Sequence, residues 1–147
     1  MNFYMITSLI VSLLFILSLS GVVATNSTKS FLAHYEVWIV SDLPNGTHPL
    51  FFRCWSRHSD LGSHFLNPDD PEGFHWRFRQ NFWQTTKYQC EFVWVSKTLT
   101  FNVFNRDLST KCQGHGNICY WLVRENGFYF ANYVNPFPGD LKLMYSW

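Results

Sequence analysis

The sequence predicts an all-β fold, a small antiparallel β-sandwich of about eight short strands, and three observations carry that prediction. Short β-branched and aromatic runs alternate in side-chain parity, turn-forming clusters separate them, and no segment sustains a 3.6-residue apolar period. The 147 residues suit a single domain, and an apolar fraction of 47% is ordinary for a globular chain. Only 14% of residues are charged, whereas 20% are aromatic, with 15 Phe, 7 Trp and 7 Tyr. A net charge of +1 argues against a polybasic nucleic-acid binder and against an acidic tail.

The elements follow in chain order. Residues 35–40 are β-branched and aromatic and stop at the turn cluster Ser41-Asp42-Leu43-Pro44-Asn45-Gly46. Residues 50–55 place Leu50, Phe52 and Cys54 on one face and Phe51, Arg53 and Trp55 on the other. Residues 63–66 form a short strand closed by Asn67-Pro68-Asp69-Asp70-Pro71-Glu72-Gly73. Residues 74–79 set Phe74, Trp76 and Phe78 against His75, Arg77 and Arg79. Residues 87–95 align Tyr88, Cys90, Phe92 and Trp94, and residues 99–105 align Leu99, Phe101 and Val103. Cys119, Trp121 and Val123 share a face in 119–124, residues 127–130 resume after Asn126-Gly127, and 141–147 alternate well enough for a final strand.

Residues 1–24 contain no Asp, Glu, Lys or Arg, and the run 6–19 is apolar except for Thr7, Ser8, Ser12 and Ser18. That is the length of a signal-peptide core and short of a bilayer span of about 20 residues. Val22 and Ala24 suit the small-residue cleavage rule, so 1–24 reads as a cleaved secretory signal in preference to an uncleaved anchor. Residues 25–147 are then one exported domain without stable membrane insertion. Two sequons, at Asn26 and Asn45, agree with export, and Asn45-Gly46 is also a turn dipeptide.

Cys54, Cys90, Cys112 and Cys119 all follow the signal, which in an oxidising compartment predicts two disulfides in one of three connectivities. Cys112, His115 and Cys119 match no strong zinc spacing, and export favours disulfides over a metal.

Catalytic signatures are absent from the sequence: it has no nucleophile elbow, no His-Glu-x-x-His and no phosphate-binding glycine loop. His58-Ser59-Asp60 holds the residue types of a hydrolase triad, but adjacent residues cannot stack in the required order. The six histidines show no pairing of the kind a secreted ribonuclease needs. Asp69-Asp70-Pro71-Glu72 lacks the alternating ligand spacing of calcium loops and reads as an acidic turn. In Trp76-Arg77-Phe78-Arg79 strand parity separates rings from guanidiniums, which weakens a nucleic-acid platform. No cofactor, metal or nucleic-acid partner is expected. Surface aromatics leave a sugar-binding module open.

The order of landmarks resembles the plant self-incompatibility protein (S-protein homologue) family from His34 to Trp147. The matching pieces are Val40-Ser41-Asp42-Leu43, Phe52-Arg53-Cys54-Trp55-Ser56, Asp60-Leu61-Gly62, Phe78-Arg79-Gln80-Asn81-Phe82 with Thr85-Thr86, Cys90-Glu91-Phe92-Val93-Trp94 and Phe101-Asn102-Val103-Phe104-Asn105. The strongest match runs from Cys119-Tyr120-Trp121 to Glu125-Asn126-Gly127. The acidic loop of the family is reduced to Asp60, Gln84 replaces a common Gly, and Asn102, Asn105 and Asn126 stand where Asp is common.

The resemblance implies a small secreted β-sandwich without known catalysis. Founding members are pistil ligands of a pollen membrane protein that trigger rejection of self pollen. A monomeric extracellular ligand for a cell-surface receptor is therefore expected. The alternative is a secreted sugar-binding or defence protein acting on microbial or cell-wall targets, although a pI near 7.7 disfavours membrane attack. The candidate recognition loops are 45–48, 57–62, 68–73 and 106–118, with Arg57, His58, Asp60, Asp69, Asp70, Arg106, Asp107 and His115. With the resemblance in view, the favoured pairing is Cys54–Cys119 and Cys90–Cys112.

Overall fold

The computed structural model describes Thr7, Ile10, Val11 and residues 33–68 and 70–147. Apart from those first three residues, all of 1–32, with the expected cleavage point and Asn26, lies outside the described residues, as does Asp69. Among the described residues, nine strands form two sheets. They are β1 (His34–Ser41), β2 (Leu50–Ser56), β3 (Asp60–Leu66), β4 (Phe74–Arg79), β5 (Tyr88–Trp94), β6 (Lys97–Phe104), β7 (Ile118–Arg124), β8 (Gly127–Ala131) and β9 (Lys142–Tyr145). A helix, α1 (Arg106–Lys111), joins β6 to β7. The five-stranded sheet has the order β4-β1-β7-β8-β9, and the four-stranded sheet β3-β2-β5-β6.

Every run expected to be extended is a strand, and two features differ from expectation. The sandwich is not wholly antiparallel, because β1 and β7 pair in parallel, Glu36 opposite Ile118 through Ser41 opposite Val123. The physical reason is the crossover. The chain leaves β6, crosses through α1 to the other sheet and enters β7 from the end at which β1 begins. The segment 106–118, expected to be loop, opens with α1. Asn105 caps it by accepting a hydrogen bond from Leu108 N at 2.8 Å, and only Leu108 and Ser109 are buried. Six residues with one buried apolar position cannot display a helical period.

The aromatic residues fill the space between the sheets. Phe52, Phe92, Phe104, Trp121 and Phe128 are essentially inaccessible, and Phe74, Trp76 and Phe78 of β4 pack partly buried against them. Ring centroids lie 4.8 Å apart for Phe92 and Phe128 and 5.0 Å for Phe101 and Trp121, within the range where tilted and edge contacts add to area burial. Trp121 Nε1 donates to the Val103 carbonyl at 3.0 Å, so the most buried indole leaves no donor orphaned. β7 is central and buried on both faces: Cys119, Trp121 and Val123 face the core, while Tyr120 and Leu122 join a second cluster with Val40 and Ala131. β6 breaks its alternation because Val103 is an extra residue between the pairs Gln89–Asn102 and Tyr88–Phe104; the bulge turns both Val103 and Phe104 inward.

The cysteine pairing corrects the expected one. The disulfides are Cys54–Cys90 and Cys112–Cys119, not Cys54–Cys119 and Cys90–Cys112. Cys54 and Cys90 oppose each other on neighbouring strands of the four-stranded sheet, with Cα atoms 4.1 Å apart. Cys119 lies in the facing sheet, and Cys54 already has Cys90 directly opposite it on the adjacent strand. Cys112, at the C-terminus of α1, sits 4.9 Å from Cys119, Cα to Cα.

Candidate functional site

The strand directions sort the connections to two opposite ends. The hairpin end carries 42–49, 67–68, 70–73, 95–96 and 125–126. The helix end carries 57–59, 80–87, α1 with 112–117, and 132–141. The predicted recognition residues therefore do not form one surface. Asn45 and Asp70 stand at the hairpin end, whereas Arg57, His58, Asp60, Arg106, Asp107 and His115 stand at the helix end. All six of the latter are exposed.

Several predicted residues are committed locally. Asp60, the first residue of β3 rather than part of a loop, pairs with Arg53 Nη2 at 2.6 Å and accepts from Gly62 N at 2.9 Å. The Arg53 hydrogen bond, followed by that of the Gly62 amide, holds the Asp60 carboxyl below its ordinary pKa. Asp70 accepts from Glu72 N at 3.0 Å, so its carboxylate closes a turn. The His115 ring contacts Tyr133, centroids 5.7 Å apart. Tyr133 donates to Asp140, and this hydrogen bond pushes the phenol above its usual pKa. Both sulfurs considered as zinc ligands beside His115 belong to the disulfide Cys112–Cys119.

At the hairpin end, a hollow of about 470 Å³ lies between Asp42, Asn45, Pro68 and Glu125, crossed by the ion pair Arg124–Asp42 at 2.7 Å. Asn45 is exposed on its turn, where Thr47 Oγ1 donates to the Pro44 carbonyl at 2.7 Å.

At the helix end, a larger groove of about 730 Å³ runs between the 57–59 turn and the 80–87 connection. Arg57, His58, Arg79 and Lys87 rim it, Trp55 and Tyr88 supply aromatic surface, and among the described residues no acidic side chain lines it. Arg79 Nη2 donates to His34 Nε2 at 3.3 Å. Burial pushes the Tyr88 phenol up, leaving it a neutral part of the wall.

The 80–87 connection was not among the predicted loops. Asn81 holds it closed: its Oδ1 accepts from Thr85 N at 2.8 Å, its Nδ2 donates to Thr85 Oγ1 at 2.7 Å, and its N donates to Thr86 Oγ1 at 2.9 Å. Gln84 takes a left-handed φ of 54°. The closed turn presents Phe82 and Trp83, which are 56% and 75% exposed, as a T-shaped pair at 5.1 Å. Two consecutive aromatic residues outside any strand, flanked by Gln, Asn and Thr, were the available signal.

The chain is a β-sandwich braced by two disulfides, with polar and aromatic residues on the connections at its ends. The chain belongs to the plant self-incompatibility protein S1 family, whose model matches residues 36–147. S-protein homolog 19 of Arabidopsis thaliana is 35% identical over 91 residues, covering 58% of this chain and 64% of its own length. S-protein homolog 5 is 32% identical over 82 residues, 56% of this chain and 60% of the relative. S-protein homolog 17 is 29% identical over 103 residues, 67% and 73%. The chain thus spans less than two thirds of the length of the first two relatives. A solved structure described as that of self-incompatibility protein homologue proteins, small, highly stable and secreted from plants, superposes with a TM-score of 0.52 at 17% identity, covering 71% of this chain and 90% of its own. That likeness establishes the shared fold. Among the described residues, no helix is long and apolar enough to cross a membrane.

Proposed function

We propose that this protein is a secreted, non-enzymatic plant signalling ligand, read at the cell surface by a receptor protein through the helix end of the sandwich. The observation that carries this reading is the convergence of Arg57, His58, Arg106, Asp107 and His115 at that one end. The rigid scaffold keeps those loops ordered before binding, which lowers the entropy lost on complex formation. A glycan on Asn45 would shield the opposite end and leave the helix end as the contact surface. Family membership supports a role in rejecting self pollen or in related cell–cell signalling.

Saturable binding of labelled protein to wall-free protoplasts tests it. Joint replacement of Arg106, Asp107 and His115 by Ala should abolish binding while the circular dichroism spectrum stays unchanged. Loss of binding on replacing Asp42 and Glu125 instead would place recognition at the hairpin end and overturn the reading.

A further inference from the structure

We infer that the groove between the 57–59 turn and the 80–87 connection is a binding site for a carboxylated sugar chain, a uronate-rich polysaccharide. The groove lies at the same end as the proposed receptor surface and shares Arg57 and His58 with it, whereas Arg106, Asp107 and His115 stand outside its lining.

Charge separation is the first support. Although the chain is close to neutral, Arg57, His58, Arg79 and Lys87 surround this groove without an acidic residue. Asp42, Asp70, Glu72 and Glu125 belong to the other end; at the helix end Asp60 is spent on Arg53, and Asp107 and Asp140 stand on other connections outside the groove lining. Among the described residues, Arg57, Arg79 and Lys87 form no ion pair. A concave surface lined by one sign of charge concentrates the opposite sign in its mouth.

The distribution of the cations is the second support. They stand on both banks of the groove, Arg57 and His58 on the 57–59 turn and Arg79 and Lys87 at the two ends of the 80–87 connection, a placement that suits a chain carrying repeated anionic groups. Guanidinium forks match carboxylates in geometry. Between them lie Ser56, Asn81, Thr85 and Gln89, a set of amides and hydroxyls suited to sugar hydroxyl groups.

The third support is the aromatic surface. Trp55 lies in the groove, and the Asn81-closed turn beside it holds Trp83 out in solvent at 75% exposure. An indole kept exposed on a rigid turn offers a flat apolar face, and pyranose rings carry C–H groups on one face that pack against such a plane. An acidic peptide would use the charges but has no need of the ring.

The test uses the secreted protein with a de-esterified oligogalacturonate, compared by calorimetry with a neutral glucan of equal length and with an oligoglutamate peptide. The galacturonate should bind, more weakly at high salt, and the neutral glucan should not. Arg57→Gln combined with Lys87→Gln, and separately Trp83→Ala, should each weaken binding by at least about tenfold. Arg77→Gln, an exposed change elsewhere on β4, should leave it unchanged. Absence of galacturonate binding, or binding indifferent to the groove substitutions, overturns the assignment. Oligoglutamate binding of equal strength and equal sensitivity to Arg57 and Lys87, with no effect of Trp83→Ala, overturns it in favour of an acidic peptide. Protoplast binding retained by Trp83→Ala and by Lys87→Gln alone, and lost on replacing Arg106, Asp107 and His115, would show that the receptor reading stands whatever becomes of this site.

Discussion

Cys54 and Cys90 face each other across β2 and β5, both wholly buried, with Cα atoms 4.1 Å apart. The bridge closes 36 residues of chain and spans the two central strands of the four-stranded sheet, whereas Cys112–Cys119 closes only 7. Chain entropy then ranks them, at about 4 kcal/mol for the first and about 2 kcal/mol for the second. Urea unfolding of the paired variants Cys54→Ser/Cys90→Ser and Cys112→Ser/Cys119→Ser should reproduce that order. Equal losses, or a larger loss from the shorter loop, would contradict it.

The β5–β6 hairpin contains an avoidable strain. Trp94 pairs with Lys97, leaving Val95 and Ser96 as a two-residue turn in which Val95 has φ 55°. A positive φ at the first central position is the setting that favours Gly, and a β-branched side chain there is costly. Val95 is 63% exposed, so little packing is lost on removing it. Val95→Gly should raise stability by about 1 kcal/mol in urea unfolding. Ser96→Gly, at a position without positive φ, should bring no gain.

Strand parity was legible in the sequence because the period of two is local. It correctly put Phe52, Cys54, Cys90, Phe92, Trp94, Cys119 and Trp121 inside. Register is not local. Three core-facing cysteines were evident, but which stands opposite which depends on strand neighbours, and the parallel β1–β7 pair follows from a crossover no short pattern reveals. The helix end was half legible. The 57–59 turn announced itself through polar residues, whereas the groove's other bank is built by Asn81 closing on Thr85 and Thr86, a contact visible only in three dimensions.

Two buried phenols couple the stability of the fold to alkaline pH. Burial raises Tyr88 and Tyr120 above the ordinary 10.0, and for Tyr120 the Asp42 carboxylate adds to the effect. The folded-state pKa therefore exceeds the unfolded one. The stability linked to the neutral phenols is complete below the unfolded value and is lost as pH rises through the folded one. A phenolate absorbance titration should show both ionising later than free tyrosine, and Tyr120→Phe should blunt the alkaline loss of stability. Ionisation of Tyr120 at or below 10.0 would remove the basis of this prediction.

Gly127 allows β9 and the C-terminal Trp147 to close over the core. Its φ is 148°, and a Cβ there would meet the Tyr145 carbonyl oxygen at 2.1 Å and Leu143 Cδ1 at 3.0 Å. The Tyr145 oxygen belongs to backbone paired with β8, so it cannot yield without parting β9 from its neighbour. Trp147 is anchored through that same segment: its Nε1 donates to the Arg124 carbonyl at 2.8 Å, and its ring lies 4.6 Å from Phe128. Gly127→Ala should therefore act locally, costing about 2–3 kcal/mol by releasing the last strand while the rest of the sandwich holds. Amide exchange should accelerate at Leu143, Met144 and Tyr145, with the β2–β5 ladder still protected. Trp147→Ala should reproduce part of the loss without touching the Gly127 backbone. Uniform acceleration across both sheets would mean that β9 is not a separable latch but part of the cooperative core.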